Sequence, residues 1–412
     1  MHAASLFRVR HLGAAATLLL TAGALGQAEY TFVLIDSFNA NPLAGEAYVW
    51  DINDKGVACG MATMDNVIGY PGFVWDAATG KTRIPITNPH GISNPGLVVG
   101  TGGVHDTRTN TTIVPPNLPG TYYGPAFFGV NDLGIAVGSI AGCSCSDSGG
   151  ILRVPYVWDA DGGARTIDMP GAKGLLRVNN ANLAIGWLNG WGNNDGFLYD
   201  LDSGWAVRLS DVFPPNIGQP PTRANDINDL GVVVWTRAGT VSGVRYGYTY
   251  SADRGVEVLP FLGAGYQQAI SAVGINSAGV VVGETSTTRA ERRAFVYVPG
   301  RGSRDLNIPG LVEGKPAGYT LMSAEKVNDL GQIVGYGTTA AGKITGYLLD
   351  PPRACPADFN GDTFLDFFDY ADFVACFESG LCPPGATADF NADGFADFFD
   401  YADFVSAFEA GC

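Results

Sequence analysis

The chain repeats itself, and the repeat limits the folds open to it more than any other feature. A nine-residue pattern, apolar-Asn-x-x-Gly-x-x-x-Gly, occurs seven times in 412 residues. The copies begin at Ile52, Ile92, Val130, Val178, Ile227, Ile275 and Val327, at steps of 40, 38, 48, 49, 48 and 52 residues. A fixed period of this size marks one supersecondary unit copied along an array. The physics of the motif is a hairpin. Asn and Asp side chains hydrogen-bond local backbone, and the first Gly accepts a positive φ. A β-branched stretch follows, as in Val280-Val281-Val282. One strand is expected to end at the Asn and the next to begin after that Gly.

An aromatic strand follows most copies. It reads Gly72-Phe73-Val74-Trp75-Asp76, Pro155-Tyr156-Val157-Trp158-Asp159 and Gly196-Phe197-Leu198-Tyr199-Asp200, with later forms at Gly247, Ala294 and Gly346. The copy at Ile92 lacks a clear one. A fourth short element comes next, as in Thr82-Arg83-Ile84 and Val256-Glu257-Val258. Four short strands per ~45 residues match the period of a propeller blade. Composition agrees: Gly is 57 of 412 and charged residues only 16%, which favours short strands and tight turns over helices. After the last aromatic strand, Tyr347 to Asp350, no fourth element remains, while the N-terminus carries a spare strand, Tyr30 to Ile35. Pairing the spare with the vacancy would close a ring and remove two sheet edges. The expectation is a mainly β, propeller-like body of seven blades over 27–352, with six blades or an open β array as alternatives.

These units resemble the HAF-type repeat of bacterial extracellular proteins, which reads like I-N-x-x-G-x-V-V-G followed by an aromatic strand. The resemblance covers about residues 30–350. It implies secretion and a β-repeat fold and carries no general biochemical assignment. Only Ala294-Phe295 remains of the usual His-Ala-Phe.

The charge is uneven. The formal net charge is -16, which disfavours nucleic acid as a partner. Residues 355–412 hold ten Asp, two Glu and no Lys, Arg or His, so -12 falls on this tail and -4 on everything before it. Aromatics alternate with the tail carboxylates, unlike a disordered acidic run.

The tail reads as two calcium loops. Asp358, Asn360, Asp362, Asp366 and Asp369 place oxygen side chains at loop positions 1, 3, 5, 9 and 12, and Phe364 offers its carbonyl at position 7. Thirty-one residues later Asp389, Asn391, Asp393, Asp397 and Asp400, with the carbonyl of Phe395, repeat the pattern. Such oxygen cages suit two Ca²⁺ ions. Gly394 sits at the sharp sixth position, where the first loop has Thr363. No helix leads into either loop, because prolines precede both. An amphipathic run follows each, Phe367 to Glu378 and Phe398 to Glu409.

A loop plus exit helix, duplicated, with Asp at position 12, resembles a type I dockerin, and the final Gly411-Cys412 resembles the Gly-Cys-ended variant. That resemblance covers 353–412 and implies attachment, through a cohesin-like or cell-surface anchoring protein. Cellulosomal dockerins often carry small hydroxyl residues at positions 10 and 11, where this chain has Phe367-Phe368 and Phe398-Phe399. At least one ring of each pair is expected to pack the small core, and the others to form a partner face.

The first 26 residues read as a secretory signal. Arg8 and Arg10 precede an uncharged apolar run, Leu12 to Leu25, and Ala24-Leu25-Gly26 fits a cleavage site. The run is short of the ~20 residues that span a bilayer, and no later stretch is long enough. The mature protein is therefore expected outside the cytoplasm, attached to the cell surface and with no transmembrane segment. Seven cysteines fit that compartment. In the tail, the pairings Cys355–Cys412 and Cys376–Cys382 are expected, although spacing alone leaves three connectivities open. In the body, one of Cys59, Cys143 and Cys145 is free, or Cys59 pairs with one of the other two.

Signal cleavage leaves only His90 and His105, which rules against a histidine zinc cluster and a Ser-His-Asp triad. Asp54, Asp132, Asp229 and Asp329 occupy one repeated turn slot, which reads as turn chemistry and not catalysis. The non-repeated acids Asp65, Glu284 and Glu313 have no constellation to promote them. The reading is a secreted, non-catalytic propeller tethered by its tail, with a glycan as a candidate ligand. The alternative is a carbohydrate-active enzyme delivered by that tail.

Overall fold

The structure is a computed structural model. It describes residues 28–41, 45–121, 123–143, 151–188, 195–212, 224–238, 244–264, 266, 270–288, 291–351, 356–360, 365, 367–380, 382–383, 386–391 and 394–410. Residues 1–26, expected to be a signal segment, lie outside these residues, as do Cys145, Cys355, Cys412 and the expected loop positions Asp362, Phe364, Asp366 and Asp393.

The body is built of antiparallel four-stranded units, one per repeat. In unit 1 the strands are Ala47–Ile52, Ala58–Ala62, Pro71–Asp76 and the first part of the long strand Gly80–Ile92. The second part of that strand begins unit 2, so units 1 to 3 share one continuous sheet, while units 4, 5 and 6 are separate sheets of four. Unit 2 does have its third strand, Gly103–Asp106, hidden from the sequence because its aromatic place holds His105 and its turn is only Thr101-Gly102, with φ of 109° at Gly102 and 125° at Gly103. In unit 7 the strands Thr320–Val327, Ile333–Thr338 and Ile344–Asp350 are joined by the N-terminal strand Tyr30–Ile35. Its antiparallel register runs from Thr31 opposite Asp350 to Ile35 opposite Gly346. A two-residue strand, Val312–Glu313, pairs parallel on its outer side.

The turns explain why the motif recurs. Asn53 Oδ1 accepts the backbone N–H of Lys55 at 3.1 Å and of Val57 at 3.0 Å, closing the hairpin on itself. The next turn residue must be left-handed. Gly56, Gly96, Gly134, Gly231, Gly279 and Gly331 have φ between 75° and 95°, and unit 4 uses Asn182 at 59°, the non-glycine residue best suited to that region.

Seven apolar clusters fill the spaces between neighbouring units. One joins units 6 and 7 through Val282, Val296, Leu321 and Tyr347, and another joins unit 7 to unit 1 through Leu348, Val334, Val49 and Phe73. The last repeat therefore packs on the first, as each packs on its neighbour. Cys59 lies in the cluster between units 1 and 2 as a free, buried thiol, its pKa pushed up by that burial. No helix among the described residues is long and apolar enough to cross a membrane.

The tail has its own small core. The helices Phe367–Ser379 and Phe398–Ala410 pack as a pseudo-twofold pair around Phe373 and Phe404, whose rings stack at 4.0 Å and 2°. Residues 31 apart make matching contacts: Phe359 meets Phe373 edge-on at 5.1 Å, and Phe390 meets Phe404 at 5.5 Å. On the axis, Tyr370 Oη and Tyr401 Oη are hydrogen-bonded at 2.6 Å. Cys376 and Cys382 form a disulfide at the end of the first helix, with Cα atoms 4.3 Å apart.

Candidate functional site

The second tail loop is gathered by its twelfth residue. Asp400 is fully buried, and its Oδ1 accepts the N–H of Phe390 at 2.7 Å and of Asn391 at 3.0 Å. Its Oδ2 accepts the N–H of Asp397 at 2.7 Å, and Asp397 Oδ1 in turn accepts Phe399 N–H at 2.8 Å. This is a reciprocal helix cap built from two acids. The bond from Asn391 leads the backbone donors that hold Asp400 below the usual carboxylate range. At the loop's first position, Asp389 Oδ2 accepts Gly394 N–H at 2.9 Å, with Gly394 left-handed at φ 95°. In the first loop Asp369 is likewise fully buried and accepts Asn360 N–H at 3.1 Å.

The ends of each loop are thus drawn together by an all-oxygen set, the donor chemistry of a hard cation. Among the described residues, no three His, Cys, Asp or Glu side chains form a metal-holding group. Asp362, Phe364, Asp366 and Asp393, which complete the two sets, lie outside those residues. The donors that are described, Asp358, Asn360, Asp369, Asp389, Asn391, Asp397, Asp400 and the carbonyl of Phe395, fit Ca²⁺ in kind.

One expectation about the aromatic pairs is corrected. Phe367, Phe368, Phe398 and Phe399 are 72%, 66%, 72% and 67% exposed, so none packs the core. They occupy the first turns of their helices, ahead of the buried stripe, and Phe359, Phe373, Phe390 and Phe404 fill the interior instead.

In the body, the repeated acids prove to be latches between units. Asp132 Oδ1 accepts the N–H of Asn94, Asp229 Oδ1 that of Asn180, Asp329 Oδ1 that of Ser277, and Asp54 Oδ1 that of Asp329, at 2.7 to 2.9 Å. Asn94 and Asn180 accept the N–H of Asp54 and Asp132 in the same way. A parallel belt runs one residue earlier, where Asn328 Nδ2 donates to Asn53 O at 2.9 Å across the 275-residue gap between the last repeat and the first. The slot is therefore more than local turn chemistry: its side chain reaches the neighbouring unit. Sequence reading missed this because the partner lies 38 to 52 residues away, or 275 where the last repeat meets the first.

Beside this belt, on the axis, a charged cluster lines a cavity of about 130 Å³. Lys326 Nζ lies 2.5 Å and Arg177 Nε 3.7 Å from the carboxylate of buried Asp226. Asp51 spends both oxygens on the N–H groups of Ile52 and Ile92, each at 3.0 Å. Burial raises its pKa, against the pull of Lys326 and Arg177. The other units place Gly91, Gly129 and Gly274 here, where a Cβ would strike the next inner strand.

One position earlier, farther from the Asn turns, the equivalent residues are Trp50, His90, Phe128, Leu176, Asn225, Val273 and Glu325. Their aromatic members, joined by Trp187 from the neighbouring strand Leu183–Leu188, form an arc: Trp50 lies 6.2 Å from His90, His90 lies 5.6 Å from Phe128, and Phe128 lies 5.9 Å from Trp187. Glu284 does have a constellation. Arg292 binds it, and Arg292 also donates to Tyr336 Oη at 2.8 Å. Glu325 stands beside them with Ser323 Oγ at 2.5 Å, and burial pushes its pKa up to about 7. Its departure from the repeat pattern was the sequence signal for this group. Asp65 Oδ2 accepts the N–H of Ala40, and Glu313 sits in the two-residue outer strand of unit 7; neither joins the arc.

No protein-family model matches the chain, and no curated protein does. Among solved structures, the chain is similar to an acylaminoacyl peptidase from Pyrococcus horikoshii, at 12% identity and a TM-score of 0.50, over 74% of this chain and 51% of that one. It is also similar to TolB from Acinetobacter baumannii, at 13% identity and 0.36, over 74% and 63%. The β-propeller domain of the trilobed protease from Pyrococcus furiosus matches at 12% and 0.39, over 74% and 83%. The chain thus spans about half to two thirds of the first two. At such identity the likeness concerns fold alone, and the body is a mainly β, propeller-type array.

Proposed function

We propose that the chain is a secreted, non-catalytic, seven-bladed propeller protein attached to a cell surface or extracellular complex by a calcium-binding, dockerin-like tail. The observation that carries this reading is the duplicated tail loop with its buried twelfth-position carboxylate, Asp369 or Asp400, closing on the loop's start. Asp358, Asn360, Asp362, Phe364, Asp366 and Asp369 would hold one Ca²⁺, and Asp389, Asn391, Asp393, Phe395, Asp397 and Asp400 the other. When bound, the ions supply +4 against the tail's -12 and order the loops ahead of each helix. The exposed pairs Phe367-Phe368 and Phe398-Phe399 then form the face toward a cohesin-like or anchoring partner.

The test is capture of the full chain on the surface fraction of the cells that secrete it, with Ca²⁺ or with a chelator. Capture should need Ca²⁺ and disappear in the Asp369→Ala/Asp400→Ala variant. Capture indifferent to both would refute the attachment role. Release of reducing sugar from polysaccharide by the purified protein would favour the carbohydrate-active alternative.

A further inference from the structure

We propose that the aromatic arc at the end of the body opposite the Asn turns binds a neutral oligosaccharide, with Tyr48, Trp50 and Tyr70 as the stacking surface and Glu46, Glu284 and Arg292 as hydroxyl partners. This goes beyond the attachment role and does not depend on the tail.

The surface is continuous over several units. Tyr48 and Trp50 lie parallel at 5.6 Å and 7°; Tyr336 meets Tyr48 at 5.2 Å and Trp50 at 5.8 Å, and Tyr70 meets Tyr48 at 6.1 Å. Tyr336 is buried beneath them, but the others are not core: Tyr48, Trp50, His90 and Phe128 are half-buried and Tyr70 is exposed. Large, part-exposed rings set side by side favour a partner with flat apolar faces. Polar groups are interleaved among them. Glu46 Oε2 accepts Tyr70 Oη at 2.8 Å and Tyr48 Oη at 3.4 Å. Arg292 joins Glu284 to Tyr336 and lies 5.7 Å from that ring's centre. Donors and acceptors mixed with ring faces match a molecule that alternates C–H faces and hydroxyls.

Other occupants fit less well. The carboxylates of Glu46 and Glu284 outnumber the Arg292 guanidinium, which disfavours polyanions and anionic membranes. An extended peptide needs a regular sheet edge. The inner strands are bulged at this level, between Val49 and Asp51, Leu175 and Arg177, and Ala324 and Lys326. Glu325, its pKa pushed up to about 7 by burial, keeps a carboxylic-acid donor in the group for about half the time at neutral pH.

The test is affinity electrophoresis of the full chain in gels containing xyloglucan, mixed-linkage β-glucan, galactomannan, xylan or polygalacturonate. The parent should be retarded in at least one neutral gel, and Trp50→Ala should weaken the apparent affinity about tenfold, as for a central aromatic anchor. Tyr70→Ala, on the exposed rim, repeats the test if Trp50→Ala does not fold. Leu230→Ala, at an exposed turn of the other end, and the tail variant Asp369→Ala/Asp400→Ala should both migrate like the parent. Unaltered mobility in every neutral gel, retardation by polygalacturonate alone, or full retardation of a folded Trp50→Ala or Tyr70→Ala variant would overturn the proposal.

Discussion

Asn328 performs two tasks with one amide. Its Oδ1 accepts Gln332 N–H at 2.8 Å and shapes its own turn, while its Nδ2 reaches Asn53 O in the first repeat. Both bonds are buried or half-buried, so Asn328→Ala should cost about 2 kcal/mol and lower the melting temperature by about 4 °C in a body of this size. Scanning calorimetry checks it. The neighbouring belt has a weak link at Ser277, too short to accept from Asp229 as Asn94 and Asn180 accept from Asp54 and Asp132. Ser277→Asn should supply that acceptor and stabilise the protein by about 1 kcal/mol; a lower melting temperature would show that the slot is not interchangeable. Glu325 sets a pH dependence. Its carboxyl titrates near 4.5 when unfolded and near 7 when folded, raised chiefly by burial. Between those values the unfolded state binds fewer protons, so this contribution to stability is full below pH 4.5 and is lost as pH rises through 7. Melting curves from pH 4.5 to 7.5 should show a decline in the parent that is smaller in Glu325→Gln. Parallel curves would refute the assignment.

At the scale of the strand, the N-terminal segment decides whether the array is closed. Tyr30–Ile35 is the outer strand that Ile344–Asp350 otherwise lacks, and Phe32 packs on Tyr319 at 5.0 Å. Arg304 clasps the carboxylate of Glu29 just before it. Deleting 27–36 should therefore destabilise the body far more than trimming a loose end; a melting point within ~2 °C of the parent would contradict the closure. Much of this was legible in sequence, because each strand carries its own local signals: the Asn turn, the left-handed Gly and the Trp- or Tyr-ended strand. The third strand of unit 2 was not, since Gly103-Val104-His105-Asp106 has neither the aromatic residue nor a recognisable turn. The site residues divide the same way. The tail residues proposed as cation donors are close in sequence, so the proposal for them could be made from spacing. Glu284 and Arg292 share one hairpin of unit 6 and Tyr336 lies in unit 7, but Trp50 joins them only when the first and last repeats meet, and no local pattern announces that meeting.

For the molecule as a whole, the division of charge follows the division of structure. The body is nearly neutral and is stabilised by inter-unit clusters and hydrogen-bonded belts. The tail concentrates -12 on two short loops and two helices with no basic residue to offset it, an arrangement that like-charge repulsion opposes and a divalent cation relieves. The attachment reading rests on that cation, so the most direct test is calorimetric titration of the full chain with Ca²⁺, followed by the Asp369→Ala, Asp400→Ala and double variants. Two binding events in the parent, one in each single variant and none in the double variant are predicted. Fewer than two events in the parent, or two undiminished events in the double variant, would contradict the account.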